Sequence, residues 1–336
     1  MLLVMCAGIL VADIVAADLP RISDPGELTF APKGIDMYVG GHSANVAINL
    51  RKIGLQEGEV SSMGAIGKDL FGDFVESTLR KHGVVTHLQR VQGIGTSKDL
   101  ILVVRDEDHR YHVDLGANLH LDPDSVRSIL LEERPIIVYI GGAGMLGKSD
   151  ERLTDILQTS KTHNCLNFVD PVVPYNGTWD SLIRACKWVD IFHCNNVEAL
   201  SMTGHEDPRK AADALIRHGI GLVIISMGEQ GLIAKNRRVT LQMPALRVPI
   251  ADPSGAGDAF CSGVIYGLIK KTQCAPGDFG DLSSEVLCDV LLEGSAAGAA
   301  CVTAVGTTTA VSRENIDRLL KEQGSQILNS TTVTEQ

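Results

Sequence analysis

The stretch richest in chemistry is Asp252-Pro-Ser-Gly-Ala-Gly-Asp258, followed by an apolar run from Ala259 to Ile269. Gly255, Ala256 and Gly257 let bare backbone approach a ligand, and the run behind them reads as a buried helix. The unpaired N–H groups of such a helix start, together with the positive end of its dipole, suit a phosphate. A carboxylate in the same place is better explained as a base than as a second phosphate ligand, so Asp258 is the candidate for taking a proton. Alone, the pattern also fits a capped helix start, because Asp is a good N-cap. A second cluster, Gly40-Gly41-His42-Ser43-Ala44-Asn45, precedes a helical stretch from Ala44 to Ile53 that Gly54 closes. Its glycines admit a ligand closely, and the Asn45 amide offers donors and acceptors to hydroxyl groups.

Such residues need a scaffold, and the chain carries the pattern of one. Short, nearly continuous apolar runs recur at 2–6, 136–140, 165–170, 189–194 and 222–226, with helical patterns between them at 150–162 and 209–218. Runs of that kind fit strands covered on both faces and joined by helical crossovers, which predicts an α/β, doubly wound, mostly parallel sheet. Ligands of such sheets bind at the carboxyl ends of the strands. Residues 28–39 and 99–115 alternate instead like half-exposed antiparallel strands, the second with a turn near Asp106 to His109, and predict a small β-sheet lid. The chain reads as a single domain over 1–325, with lid segments from about 14–40 and 96–115. The tail looks frayed after Gln323, and 326–336 is set apart from the domain.

Composition removes other classes. The 336 residues hold 30 Lys and Arg against 41 Asp and Glu, a net charge of -11. No basic run could neutralise successive phosphates, so a nucleic-acid partner is excluded. Eight Cys, with no C-x-x-C pair, lie mostly in apolar runs and read as reduced, buried thiols, which points to the cytoplasm. The apolar start MLLVMCAGILVA resembles a signal-peptide core, but no basic residue precedes it and Asp13 follows at once. No stretch reaches the ~20 uninterrupted apolar residues of a membrane span. One motif points elsewhere: Gly142-Ala-Gly144-Met-Leu-Gly147 is a G-x-G-x-x-G directly after an apolar run, and Asp170 ends the next run 23 residues on. Those are parts of a dinucleotide fingerprint, and they keep an NAD-dependent oxidoreductase as an alternative.

Taken together, Gly-Gly-x-x-x-Asn45 and the stretch from Asp252 to Val264 are similar to the two signatures of the PfkB, or ribokinase-like, family of carbohydrate and nucleoside kinases. Gly67-Lys-Asp-Leu-Phe-Gly72, Asn195-Asn-Val-Glu198 with Gly204, and Ser226-Met-Gly228-Glu-Gln-Gly231 extend the resemblance over nearly the whole chain. It implies a ribokinase-like fold and transfer of the γ-phosphoryl of ATP to a hydroxymethyl group, with Asp258 as base. The N–H groups of Gly255, Ala256 and Gly257 would stabilise the developing charge. Asp13, Gly41 and Asn45 would hold sugar hydroxyls. Asn195 and Glu198 would place Mg²⁺ and phosphate through water, a spacing that alone is one helical turn with a solvated Glu. Ser226, Gly228 and Gly231 would meet the nucleotide, and the small residues from Ala297 to Gly306 either leave room for adenine or pack a helix. The resemblance also admits K⁺ at Asp252 and the Ser254 carbonyl, and a homodimer through the exposed lid.

The departures limit the acceptor. His42 stands where members often carry Lys, and Asp170-Pro-Val-Val-Pro resembles D-x-N-x-R without its Arg, which disfavours acidic or phosphorylated acceptors. A small neutral sugar or polyol is expected. The rivals are a nucleoside acceptor and a sugar-binding protein without catalysis, and the intact Asp258 argues against the second.

Overall fold

The computed structural model describes residues 2–105, 107, 110–272 and 282–335. In chain order the first half comprises β1 (Val4–Gly8), β2 (Val11–Leu19), β3 (Ile35–Gly40), α1 (His42–Ile53), β4 (Val60–Gly67), α2 (Leu70–Lys81), β5 (Val85–Val91), β6 (Lys98–Val104), β7 (Arg110–Asp114), α3 (Pro123–Glu133) and β8 (Ile137–Ala143). There follow α4 (Lys148–Glu151), α5 (Leu153–Thr162), β9 (Leu166–Pro171), α6 (Asp180–Ala185), β10 (Ile191–Asn195), α7 (Asn196–Thr203), α8 (Pro208–Arg217), β11 (Leu222–Ser226), β12 (Leu232–Lys235), β13 (Val239–Met243), α9 (Ala256–Thr272), α10 (Ser284–Cys301), α11 (Arg313–Ser330) and β14 (Thr332–Glu335).

Among the described residues the large sheet has ten strands, in the order β14-β13-β12-β11-β10-β9-β8-β1-β4-β5. The seven from β11 to β5 run parallel, and β12, β13 and β14 close one edge antiparallel. Successive strand residues serve opposite faces, as the strand period of two requires. Val4 and Cys6 join the core under α1, α9 and α10, whereas Met5 and Ala7 join the core under α3, α5 and α8. Both faces are therefore covered, which explains the unbroken apolarity of the strand sequences. From β1 the chain lays strands first to one side and then, through β8, to the other. The strand order reverses between β1 and β8, the place where sheets of this kind open a crevice at their carboxyl ends.

A separate four-stranded sheet, β3-β2-β6-β7, takes β3, β6 and β7 from the segments expected to form a lid, while β2 begins at Val11, ahead of the first of them. Asp13 lies inside β2, opposite Tyr38 on one side and Asp99 on the other. Two expectations need correction. Residues 28–34 are not a strand; Pro32 has no N–H to give a ladder, and a turn donated from Gly34 to the Ala31 carbonyl folds the chain just before β3. The tail is not frayed either. Helix α11 runs through to Ser330, and β14 pairs with β13 at the sheet edge although its own side chains are exposed. Polarity signalled fraying, but backbone pairing holds the segment. Of the turn expected near Asp106 to His109, residues 106, 108 and 109 lie outside the described residues, as does Cys274; the other seven Cys are free thiols. Among the described residues no helix is long and apolar enough to cross a membrane.

Candidate active site

Asp258 sits in the first turn of α9, where helix N–H groups lack intrahelical partners, and only 8% of its surface is exposed. The turn before it depends on Gly255, whose φ of +77° belongs to the left-handed region and whose missing Cβ would lie 2.7 Å from Thr307 Cβ. Asp252 braces the same turn: one carboxylate oxygen accepts from Ser254 N at 2.9 Å and the other from Gly306 N at 3.0 Å. The Ser254 carbonyl meets the Cys301 thiol at 3.5 Å, and the Ser254 hydroxyl lies 3.1 Å from the Tyr111 hydroxyl of β7, so the small sheet touches this turn. A Cβ on Gly257 would find only His193 Cε1, at an ordinary 3.5 Å.

Asn45 is brought to the same place by α1. Its side-chain N–H donates to Asp258 Oδ2 at 2.8 Å, while its carbonyl oxygen lies 2.8 Å from the Thr307 hydroxyl. This amide therefore orients the candidate base. Gly41 opens α1 and permits close approach, because a Cβ there would strike the Ile9 carbonyl at 2.5 Å. Gly40 has a parallel constraint: a Cβ would lie 2.0 Å from Asp13 Oδ2.

Sequence reasoning missed a buried polar cluster beneath Asp258. Asp170, at the end of β9, accepts from His193 Nδ1 at 2.9 Å, from Tyr139 OH at 2.9 Å and from the Cys261 thiol at 3.4 Å. His193, on β10, reaches Ser226 Oγ at 3.1 Å through its other nitrogen. The available signal was a titratable residue inside the apolar run VDIFHC. His42 Nε2 lies 4.0 Å from Asp258 Oδ1. Burial raises the Asp258 carboxyl and the Asp170 charge adds to this, against His42 and the Asn45 hydrogen bond. Burial would also raise Asp170, but His193 first and then His42 hold it below the ordinary range. Burial lowers both histidines, and the surrounding carboxylates outweigh it, so His42 and His193 are both shifted up.

A second group of carboxylates faces this cluster from the small sheet. Asp13 is pushed up to about 7, by burial first and then by Asp99, Asp258 and Asp252. Asp99 is raised by burial and accepts from His112 N at 3.0 Å. Its position opposite Asp13 becomes visible only through strand register.

Asn195 and Glu198 form a reciprocal cap on α7: Asn195 Oδ1 accepts from Glu198 N at 2.9 Å, and Glu198 Oε2 from Asn195 N at 2.8 Å. Glu198 is buried rather than solvated, which raises its carboxyl. Asn195 and Ser226 are paired in register on neighbouring strands. Gly228 faces open space, whereas a Cβ on Gly231 would strike the Met243 carbonyl at 2.0 Å, so Gly231 is held by the fold. The small residues near Ala297 pack α10 closely on α9, where Gly263 and Gly294 let the two backbones meet. The 142–147 turn is satisfied from within: Gly144 N and Leu146 N donate to Asp150 at 2.8 and 2.6 Å, so those amides are not offered to a pyrophosphate.

Comparison with known proteins agrees with this geometry. The chain is 27% identical over 244 residues to an ATP-dependent 6-phosphofructokinase of Thermoanaerobacterium thermosaccharolyticum, covering 69% of this chain and 73% of that one. It is also 27% identical over 243 residues to a deoxyribokinase of Salmonella typhi, covering 70% and 76% respectively. The solved ribokinase of Arabidopsis thaliana complexed with ribose and ATP has the same fold, with a TM-score of 0.73 at 20% identity over 96% of this chain and 99% of that one. The family model described as pfkB family carbohydrate kinase matches residues 1–314, and with its signature residues assembled at one strand-end crevice the chain belongs to the pfkB family of carbohydrate kinases.

Proposed function

We propose that this kinase transfers the γ-phosphoryl of ATP, bound as its Mg²⁺ complex, to a hydroxymethyl group of a small neutral sugar or polyol. The observation that carries the reading is Asp258: a buried carboxylate at a helix N-terminus, oriented by Asn45 through one oxygen and left with the other free of any protein hydrogen bond among the described residues. A raised carboxyl in that position suits proton abstraction from an alcohol, while the N–H groups of Gly255, Ala256 and Gly257 take the charge of the transferring phosphoryl. Asp13 and Asp99 add acceptors for hydroxyl donors. Three carboxylates, Asp99, Asp258 and Asp252, act on Asp13 here, an environment that favours a neutral polyol over an anionic acceptor.

Asn195 and Glu198 would act on the Mg²⁺–phosphate complex through water, in keeping with the oxygen chemistry of that ion. Ser226 and the open side of Gly228 would meet the nucleotide. Both Asp252 oxygens accept loop amides, which supports a bracing role for this residue; the same assay in K⁺ and in tetramethylammonium reports whether the Ser254 carbonyl also takes an alkali ion. Closure of the small sheet, whose Tyr111 already touches Ser254, would exclude water. Met37 and Leu100, on the same sheet, are 40% and 42% exposed and would form the face of a homodimer.

The test is ADP release with ATP and Mg²⁺ across pentoses, hexoses, keto-acid sugars, inositols, sugar phosphates and nucleosides. Acceptor-dependent release with a neutral sugar or polyol is expected. Release only with a nucleoside or a sugar phosphate would overturn the acceptor class, and silence across the panel would overturn the reaction.

A further inference from the structure

We infer that His42, Asp170 and Asp258 form a binding site for a divalent transition-metal ion, of the Zn²⁺ type, at the floor of the active site. One ligand atom from each residue lies within 4.8 Å of the other two, and His42 Nε2 is 4.0 Å from Asp258 Oδ1. Ligands about 2.0–2.2 Å from a tetrahedral Zn²⁺ stand roughly 3.4 Å apart, so modest side-chain rotation closes the site.

The second observation is unmet bonding capacity. Asp258 is more than nine-tenths buried, and its Oδ1, the atom nearest His42, has no hydrogen-bond partner among the described residues. A buried acceptor without a donor is costly, and an ion would supply what is missing. Asp170 is prepared differently. His193 and Tyr139 each donate to one of its oxygens and fix its orientation, as outer partners do for ligating carboxylates.

The donor set selects the ion. One imidazole with two carboxylates suits Zn²⁺ or its neighbours better than Mg²⁺ or Ca²⁺, which prefer oxygen alone. Three protein ligands leave a fourth position for water or an acceptor hydroxyl. The adjoining group Asp170, His193 and Cys261 also lies within ligand spacing, but His193 and Cys261 both already donate to Asp170, which leaves that group no such orphan.

An ion on Asp258 Oδ1 occupies the electron pair that would take the acceptor proton, so its effect on turnover is inhibitory. That consequence rests on Asp258 being the base; binding itself does not. The experiment uses the chelator-stripped full chain, titrated with Co²⁺ for the visible bands of a tetrahedral centre and with Zn²⁺ in competition with a chromogenic chelator. ADP release is followed in parallel, with free Zn²⁺ held by a metal buffer. One tight ion per chain is expected, weakened at least tenfold in His42→Gln and unchanged in His87→Gln, which alters a histidine paired with Glu133 elsewhere. Asp170→Asn should weaken binding as well, and His42→Gln keeps the test decisive if that buried variant does not fold. Absence of stoichiometric binding, or equal binding in His42→Gln, overturns the site. Binding as expected with undiminished ADP release overturns the inhibitory role, and binding in a protein that releases no ADP supports the site while overturning the kinase reading.

Discussion

Two of the glycine-rich turns in this molecule, 142–147 and 252–257, are finished in opposite ways. The 142–147 turn starts in the last two residues of β8 and leads into the four-residue α4; its Gly144 and Leu146 amides are closed by Asp150 a few residues on. The 252–257 turn leads into the 17-residue α9, and its Asp252 braces the chain from behind while Asp258 keeps one oxygen uncommitted. Glycine lets backbone come close in both. What separates a ligand site from a bend is whether a neighbouring side chain has already satisfied the amides and how long a helix stands behind them.

The largest effect should come from the open turn. Asp258→Asn removes the base and keeps the backbone N–H groups, so turnover should fall about 10³-fold, roughly 4 kcal/mol in barrier height, while calorimetry shows a non-hydrolysable ATP analogue binding within about twofold of wild type. Turnover within tenfold of wild type would erase the distinction between the turns.

The closed turn should show itself in stability. Burial raises Asp150 from the ordinary 3.8 to about 6, against its amide hydrogen bonds. The unfolded chain therefore ionises first as pH rises, and this group's contribution, complete below about pH 4, is lost through about pH 6, at most about 3 kcal/mol. Urea unfolding between pH 4 and 7 should show that slope in wild type and lose it in Asp150→Asn, with a flat wild-type profile as the contrary result. Gly144→Ala places a Cβ 2.5 Å from the Val172 carbonyl at a φ of +115° and should cost about 2 kcal/mol of stability. Gly257→Ala should do the reverse, leaving unfolding within about 0.5 kcal/mol because its Cβ finds ordinary space, but lowering kcat/KM about tenfold, or ~1.4 kcal/mol, by crowding the phosphate. Equal stability losses in the two Ala variants would mean that both turns are structural.

Much of the scaffold was legible in the residues. The runs at 2–6, 136–140, 165–170, 189–194 and 222–226 correspond to β1, β8, β9, β10 and β11, because strands buried on both faces must be apolar throughout. Strand β4, VSSMGAIG, escaped notice although wholly buried, since small and hydroxyl residues carry no such signal. The tail was misjudged because edge pairing is a backbone property that side-chain polarity does not report.

Within the site, spacing along the chain exposed what lies on one loop or one helix turn: the 252–258 turn, the pair Asn195 and Glu198, and the glycines before Asn45. It did not expose pairings across distant segments, such as Asp170 with His193 and Tyr139, Asn45 with Asp258 and Thr307, or Asp13 opposite Asp99. By itself the sequence determined the fold class and singled out the 252–257 turn and the candidate base, because local backbone geometry and strand burial leave a periodic record in residue type. Only the tertiary structure decided which amides are satisfied, which carboxylate keeps a free oxygen and which buried charges act on one another. Those properties depend on distances between groups that the chain brings together only after folding.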